Sequence, residues 1–120
     1  GFSPDHQRLY VANSDPQKAW WIVYDINKEG DLSDGRVFYD ATSLVGREKG
    51  LPDGLVVHSS GILFATGPGG VWLFDPEAHH LGTIRTTQAT SNCTFNDDET
   101  ALYITADRYL LRVHLNKNIL

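Results

Sequence analysis

The sequence contains a single cysteine, Cys93, among its 120 residues. An internal disulfide and a cysteine-based zinc site are therefore excluded, and we interpret this residue as a small buried apolar side chain in a strand. Basic residues are also scarce, since 10 Lys and Arg stand against 15 Asp and Glu and give a formal net charge of -5. This charge has the wrong sign for neutralising phosphates or anionic lipids, so we expect neither nucleic acid nor a membrane as a partner.

Long hydrophobic runs are lacking as well. Apolar stretches such as Ala19–Tyr24 are far shorter than a bilayer-spanning segment requires. No signal peptide opens the chain, but residues before Gly1 would hide one, which leaves the compartment open between cytoplasm and periplasm. A hydrophobic content of 41% nevertheless indicates a soluble chain with a packed core.

Short runs of β-branched and aromatic residues dominate the chain, and clusters of Gly, Pro, Asn and Asp separate them. No long segment shows the 3.6-residue period of a helix, so the sequence predicts an all-β fold. The predicted strands are Arg8–Ala12, Trp20–Asp25, Arg36–Asp40, Leu55–His58, Ile62–Thr66, Val71–Asp75, Gly82–Thr86, Cys93–Asn96, Ala101–Thr105 and Tyr109–Leu115.

Three segments repeat one order of features: a short strand, a turn with Asp or Ser, and a strand with an aromatic residue. They read FSPDHQRLYVAN, VVHSSGILFATG and FNDDETALYITA. Leu9, Leu63 and Leu102 hold equivalent places in them, at spacings that bracket the roughly 40 to 50 residues of a propeller blade. The sequence therefore predicts part of a β-propeller, with blades at about 1–45, 51–87 and 90–120.

This strand count predicts an incomplete ring, because the first blade begins inside its innermost strand and the last blade has three strands. Open strand edges of this kind promote aggregation. We therefore expect residues 1–120 to be incomplete alone and to form the C-terminal part of a propeller domain, covering two and a half to three blades. The remaining blades are the expected partners, supplied by residues before Gly1 or by another chain.

The tripeptide Pro52-Asp53-Gly54 directly precedes the predicted innermost strand of the complete blade. Out of context, Pro-Asp-Gly forms a turn and needs no further role. The innermost strands of a propeller line its central channel, however, so an Asp at the head of one directs a carboxylate toward the axis. Carboxylates and amides that converge there suit a hard cation with oxygen ligands.

Other patterns are better explained as connections. Asp25–Gly30 resembles the start of an EF-hand loop, but Arg36 stands where the bidentate Glu is required. The glycine-rich Thr66–Gly70 lacks the Lys of a phosphate loop and reads as a hairpin. Asn92-Cys93-Thr94 matches a glycosylation triplet but falls at the start of an inner strand, where glycosylation is not expected.

The histidines and serines give no signal of catalysis. We interpret the three histidines that invite a metal-binding reading as exposed turn residues, and the serines show no nucleophile elbow, so a Ser-His-Asp hydrolase is not supported. These residues are His58, His79 and His80, and Ser3, Ser59 and Ser60.

The order and spacing of four segments resemble the gluconolactonases, which form one six-bladed propeller family with the senescence marker protein (regucalcin) and the luciferin-regenerating enzymes. The segments read GFSPDHQRLYVANS, LPDGLVV, ILFATGPGGVWLFDPEAHHLGTI and TSNCTFNDDETALYITA. The resemblance spans nearly the whole chain. Each motif is modest alone, but their shared order makes the match specific.

The resemblance implies one divalent cation on the axis, calcium or zinc, held by a first-blade Glu, one or two Asn and the Asp of the PDG motif. Asp53 matches that Asp as metal ligand and catalytic residue. One family Asn belongs to an Asn-Gly-Leu-x-Phe-Ser-Pro-Asp motif of which Gly1–Asp5 remain, so it would precede Gly1. The resemblance therefore implies that residues 1–120 alone are not a competent enzyme.

The implied reaction is the hydrolysis of a sugar lactone to an aldonic acid, with Asp53 as ligand and general base. Two alternatives stay open. A propeller of this kind can be a non-catalytic binding module, or it can hydrolyse organophosphates or other esters, because fold alone does not decide function.

Overall fold

A computed structural model describes residues 1–116, and within them the regular structure is β-strand apart from one short 3-10 helix, Thr42–Leu44. No helix among these residues has the length and apolar character needed to cross a membrane. The strands are β1 (Arg8–Asp15), β2 (Lys18–Ile26), β3 (Leu32–Asp40), β4 (Leu55–Val57), β5 (Leu63–Gly67), β6 (Gly70–Phe74), β7 (His80–Arg85), β8 (Thr90–Phe95), β9 (Ala101–Ala106) and β10 (Tyr109–His114).

Every predicted strand is present, and the all-β class is confirmed. Strands β3 and β8 begin earlier than predicted, at Leu32 and Thr90 rather than at Arg36 and Cys93, and β1 ends at Asp15 rather than at Ala12. The added starts are polar or glycine except for Leu32, and all of their residues are exposed except for Thr90. Backbone ladder bonds extend these strands beyond their apolar residues, which is why hydrophobic pattern alone placed the starts too late.

The strands form three antiparallel sheets. The first sheet has the order β1-β2-β3, the middle sheet β4-β5-β6-β7, and the last sheet β8-β9-β10. Phe2 bridges Leu9 in antiparallel fashion, so the start of the chain lies beside β1 in the first sheet. All strand pairs within the three sheets are antiparallel, as in the blades of a propeller.

Strands β5 and β6 of the middle sheet are buried on both faces, and their alternate residues point to opposite sides. One face carries Leu63 and Phe74 and packs with Trp21 and Phe38 of the first sheet. The other face carries Phe64 and packs with residues of the last sheet. The members of this second core are Phe64, Val71, Cys93, Leu102, Ile104 and Ala106. Stacked sheets with shared cores are consistent with part of a gluconolactonase-type propeller.

One end of the three sheets is called here the rim. It carries the β1–β2, β5–β6 and β9–β10 turns and the connections that lead into β4 and β8. Backbone hydrogen bonds hold these segments together, from Gly69 N–H to the Lys49 carbonyl at 2.8 Å and from Asp107 N–H to the Ala89 carbonyl at 2.7 Å. Because successive strands alternate in direction, the remaining turns lie at the opposite end.

The blade boundaries at about 1–45, 51–87 and 90–120 remain predictions, and the last four residues of the third blade lie outside the described part of the chain. Two predicted connections are confirmed. Asn27 closes the β2–β3 turn through its side-chain oxygen, which accepts from Glu29 N–H and Asp31 N–H. Gly67–Gly70 is a tight hairpin in which Gly69 has a φ of 87°, a conformation that glycine adopts without strain.

Candidate functional site

Asp53 lies at the rim, two residues before β4, as the sequence predicted. Its own N–H donates to the Thr66 carbonyl at 3.2 Å, and the hydroxyl of Ser14 donates to the Pro52 carbonyl at 2.6 Å. These bonds tie the Pro52–Gly54 turn to β5 and to the first sheet. The backbone of Asp53 is therefore held from two sides while its side chain is left free.

Gly54 brings this turn against the inner edge of the last sheet. Its N–H donates to the Ser91 carbonyl at 2.8 Å. A Cβ built on Gly54 would lie 2.1 Å from Asn92 Oδ1 and 2.8 Å from the Ser91 carbonyl oxygen. No side chain fits at such a distance from backbone, so this position requires glycine for the close approach of β8.

The Asp53 side chain is exposed, and no hydrogen bond or ion pair engages its carboxylate within the described residues. A free carboxylate on a fixed backbone is available to an external partner. Hard divalent cations take such oxygens as ligands. The chemistry of this position therefore fits the metal ligand that the sequence predicted.

Asp53 lines a groove of about 750 Å³ at the rim. Its wall includes Arg47 and Lys49, which are exposed and form no salt bridge within the described residues. Glu48 lies on the same wall but is paired with Arg85 at 2.8 Å. Two unpaired cations beside a free carboxylate give the groove mixed charge, with donors for anionic or hydroxylated ligands.

The described residues contain no cluster of three or more His, Cys, Asp or Glu side chains placed to hold a metal. Asp53 is the one site residue that the sequence predicted, and its carboxylate is free of partners within the described residues.

His58 was predicted to be an exposed turn residue, and this prediction is wrong. The side chain is buried at 9% exposure, and its ring packs against Phe95 with centroids 5.2 Å apart. Its Nε2 lies 3.7 Å from Glu99 Oε2, an oxygen that also accepts from Ser59 N–H. Docking of the last sheet covers the turn, which local sequence cannot reveal.

Ser60 lies beside His58, with Oγ 2.8 Å from Nδ1. Ser60 N–H donates to the same nitrogen at 3.0 Å, and Gly61 N–H donates to the His58 carbonyl at 2.8 Å. These bonds close the β4–β5 turn and occupy the N–H groups that an oxyanion hole would need. The contacts stabilise a turn at the end opposite to the rim.

The remaining candidates are structural. His79 and His80 are exposed, as predicted, but His80 begins strand β7 rather than lying in a turn, and its ring stacks on Trp72 with centroids 4.4 Å apart. Cys93 is buried, and burial raises the pKa of its thiol to about 12, so it packs as an inert apolar residue as predicted.

Asn92 is the residue at this site that sequence reasoning missed, since it was considered only within a glycosylation triplet. It lies in β8 as expected, but its carboxamide contacts Gly54 of the predicted metal motif. No local signal indicates this contact, because the TSN segment forms the start of β8 itself and the contact depends on the packing of two sheets.

Three antiparallel sheets that share two cores, with a free carboxylate at the common rim, are consistent with a fragment of an all-β propeller. The SMP-30/gluconolactonase/LRE-like family model matches residues 1–108. The chain therefore belongs to this family.

Known relatives agree with this assignment. The chain is 36% identical to a gluconolactonase of Zymomonas mobilis, in a match that covers 92% of this chain and 32% of the relative. The solved structure of a gluconolactonase from Xanthomonas campestris superposes with a TM-score of 0.83 at 34% identity, covering 96% of this chain and 36% of the other.

A luciferin-regenerating enzyme shares the fold, with a TM-score of 0.71 at 18% identity and coverage of 88% of this chain and 35% of the other. The chain thus spans about a third of the length of the relatives it matches.

Proposed function

We propose that residues 1–120 form part of a lactone hydrolase, in which a sugar lactone binds at the rim and opens to an aldonic acid. The observation that carries the proposal is Asp53: it occupies the PDG position of a gluconolactonase family, on a fixed backbone, with a free carboxylate facing a groove. The enzyme class is that of metal-dependent carboxylic ester hydrolases.

Asp53 would hold one divalent cation, calcium or zinc, together with ligands from outside this segment. When bound, such a cation supplies Lewis-acid polarisation of the lactone carbonyl and lowers the pKa of a bound water. The Asp53 carboxylate has two oxygens. One can serve the cation while the other accepts a proton from the attacking water, so the residue can be ligand and general base.

The cationic side chains of the groove support the binding of a sugar lactone there. Arg47 and Lys49 line it without a carboxylate partner in the described part of the chain. An aldonic acid is an anion at neutral pH, and sugar hydroxyls accept hydrogen bonds from both cations. The same side chains therefore suit the substrate and the product.

We further propose that this segment works within a larger propeller that covers the outer faces of the first and last sheets. Val11, Ile22 and Val37 lie directly opposite one another across the first sheet, and Val11 and Val37 are exposed. Leu110 in the last sheet is 74% exposed. A β-sheet with apolar residues on both faces requires a packing partner on each.

The test uses the longer protein that contains residues 1–120, with metal content and aldonolactone hydrolysis measured together. We expect Asp53→Ala to lose stoichiometric metal and to lower kcat/KM by about a hundredfold or more, while the fold persists. The matched control is Asp97→Ala, which removes an exposed carboxylate beyond the other end of β8.

Three outcomes distinguish the proposed lactonase from the alternative functions. If Asp53→Ala retains full metal and activity, the site assignment is wrong. If the unsubstituted protein binds metal but hydrolyses neither lactone nor ester, a non-catalytic binding module is correct. If it hydrolyses an organophosphate or a simple ester in preference to a sugar lactone, the related esterase function is correct.

A further inference from the structure

A β-bulge shapes the inner edge of the last sheet beside Asp53. Thr90 pairs with Ala106 and Asn92 pairs with Thr105, so Ser91 is an extra residue in β8. Bulges bend a strand and re-aim its side chains, and they occur frequently next to active sites. Here the bulge is at the point where Gly54 N–H bonds to the Ser91 carbonyl.

The Asn92 carboxamide lies along the edge of β8, next to its own backbone and to Gly54. Strand β8 has β9 as its one neighbour within its sheet, and Asn92 Oδ1 accepts from the Cys93 N–H at 2.9 Å. The same oxygen lies against Gly54, which has no side chain to block it. These contacts fix the orientation of the amide, with oxygen toward the backbone and nitrogen away from it.

The Asn92 Nδ2 group therefore retains two N–H donors. No hydrogen bond engages them within the described residues, and the side chain is exposed. A donor held in one orientation, on the residue that packs against the glycine of the PDG turn, is placed to bind an acceptor oxygen near Asp53.

Resting on the proposed function, we infer that Asn92 binds the substrate and selects for hydroxylated lactones, by donating from Nδ2 to a sugar hydroxyl oxygen. Its Oδ1 is engaged by Cys93 N–H, so the amide acts as a donor and not as a metal ligand. A site built to bond a hydroxyl discriminates against the analogue that lacks it, because the donor is then left unpaired.

The test compares a sugar δ-lactone with unsubstituted δ-valerolactone in the longer protein. We expect Asn92→Ala to lower kcat/KM for the sugar lactone by roughly two- to tenfold, mainly through KM, since one neutral hydrogen bond is lost. The rate with δ-valerolactone and the metal content should be unchanged. Gln7→Ala removes an exposed carboxamide at the opposite end and is the matched control.

Asn92→Asp is the second variant, and it guards against a merely structural effect. An aspartate retains the shape of asparagine and an oxygen for the Cys93 N–H, but it has no donor. We expect it to fold as the unsubstituted protein does, by thermal midpoint, and to lose the preference for the sugar lactone.

The outcomes separate the two proposals. If the unsubstituted protein hydrolyses both lactones and the Asn92 variants keep the same preference, the inference is overturned and the proposed function stands. Loss of metal in Asn92→Ala would also overturn it, because the residue would then be a ligand. If the unsubstituted protein hydrolyses neither lactone, the proposed function fails and the inference fails with it.

Discussion

Asp53 owes its position to neighbouring residues more than to its own side chain. The bonds to Thr66 and from Ser14 fix the turn, and the absence of a side chain at Gly54 admits the edge of β8. The sequence could predict Asp53, because a turn ahead of an inner strand is a local pattern. It could not predict Asn92, because that contact depends on a bulge and on the packing of two sheets.

His58 also shows that local sequence cannot predict contacts between sheets. A Ser-Ser-Gly turn is normally exposed, and local sequence therefore predicted an exposed histidine. Its burial comes from Phe95, which belongs to a different sheet. Residues that contact a neighbouring sheet are those for which local pattern fails.

Glu99 provides a test of this contact through pH. Burial acts to raise the pKa of Glu99, but hydrogen bonds from Ser59 and the nearby His58 charge hold it below its ordinary value. A lowered folded-state pKa stabilises the protein above the unfolded value of about 4.3, and this stability is lost as pH falls through the folded pKa.

We therefore expect Glu99→Gln to be less stable than the unsubstituted protein near neutral pH, and the difference to shrink in the acid range below about pH 4.3. Denaturant midpoints of the longer protein at a series of pH values measure this. Glu29→Gln changes an exposed glutamate in the β2–β3 turn and serves as the control. A stability difference that grows on acidification would contradict the prediction.

Among the elements, strand existence was predictable and strand ends were not. Continuous runs of apolar and aromatic residues located β5 and β6, because both faces of these strands are buried. The starts of β3 and β8 escaped prediction, since they contain few apolar residues and are identified by their backbone pairing. Register shifts in β2–β3 and β8–β9 likewise leave no signal in composition.

Packing between the first and middle sheets depends on Gly67 at the end of β5. A Cβ there would lie 2.7 Å from Trp21 Cζ2 and 2.9 Å from Trp21 Cη2. The Trp21 ring is fully buried and contacts Trp72 and Phe74, with centroids 5.3 and 5.1 Å away, so it has little room to move. The close approach of these two sheets therefore needs a glycine at this position.

We expect Gly67→Ala to destabilise the protein by about 1–3 kcal/mol through overpacking. Gly82→Ala is the matched control, because a Cβ at Gly82 meets nothing within 4 Å. It should change stability by less than about 0.5 kcal/mol. Denaturant midpoints of both variants in the longer protein check this, and equal midpoints would refute the packing argument.

At the scale of the whole molecule, the sheets are stacked but do not close on themselves. The middle sheet has a partner on each face, whereas the first and last sheets each have one partner within the described residues. Repeated segments allowed this stacking to be predicted, because each repeat is a unit that cannot bury its apolar faces alone.

Residues 1–120 expressed alone should therefore associate or precipitate. In the isolated segment, solvent would contact the exposed Leu110 and the apolar row formed by Val11, Ile22 and Val37 across the first sheet. Burying this apolar surface favours association with other copies of the segment. Sedimentation over a range of concentrations measures this association.

We expect Leu110→Lys to reduce association more than Leu81→Lys, because Leu81 lies on the peripheral strand of the middle sheet. In the longer protein Leu110→Lys should instead lower the unfolding midpoint, since a covering blade would bury the charge. A stable, cooperatively folding monomer of residues 1–120 would show that the open faces need no partner.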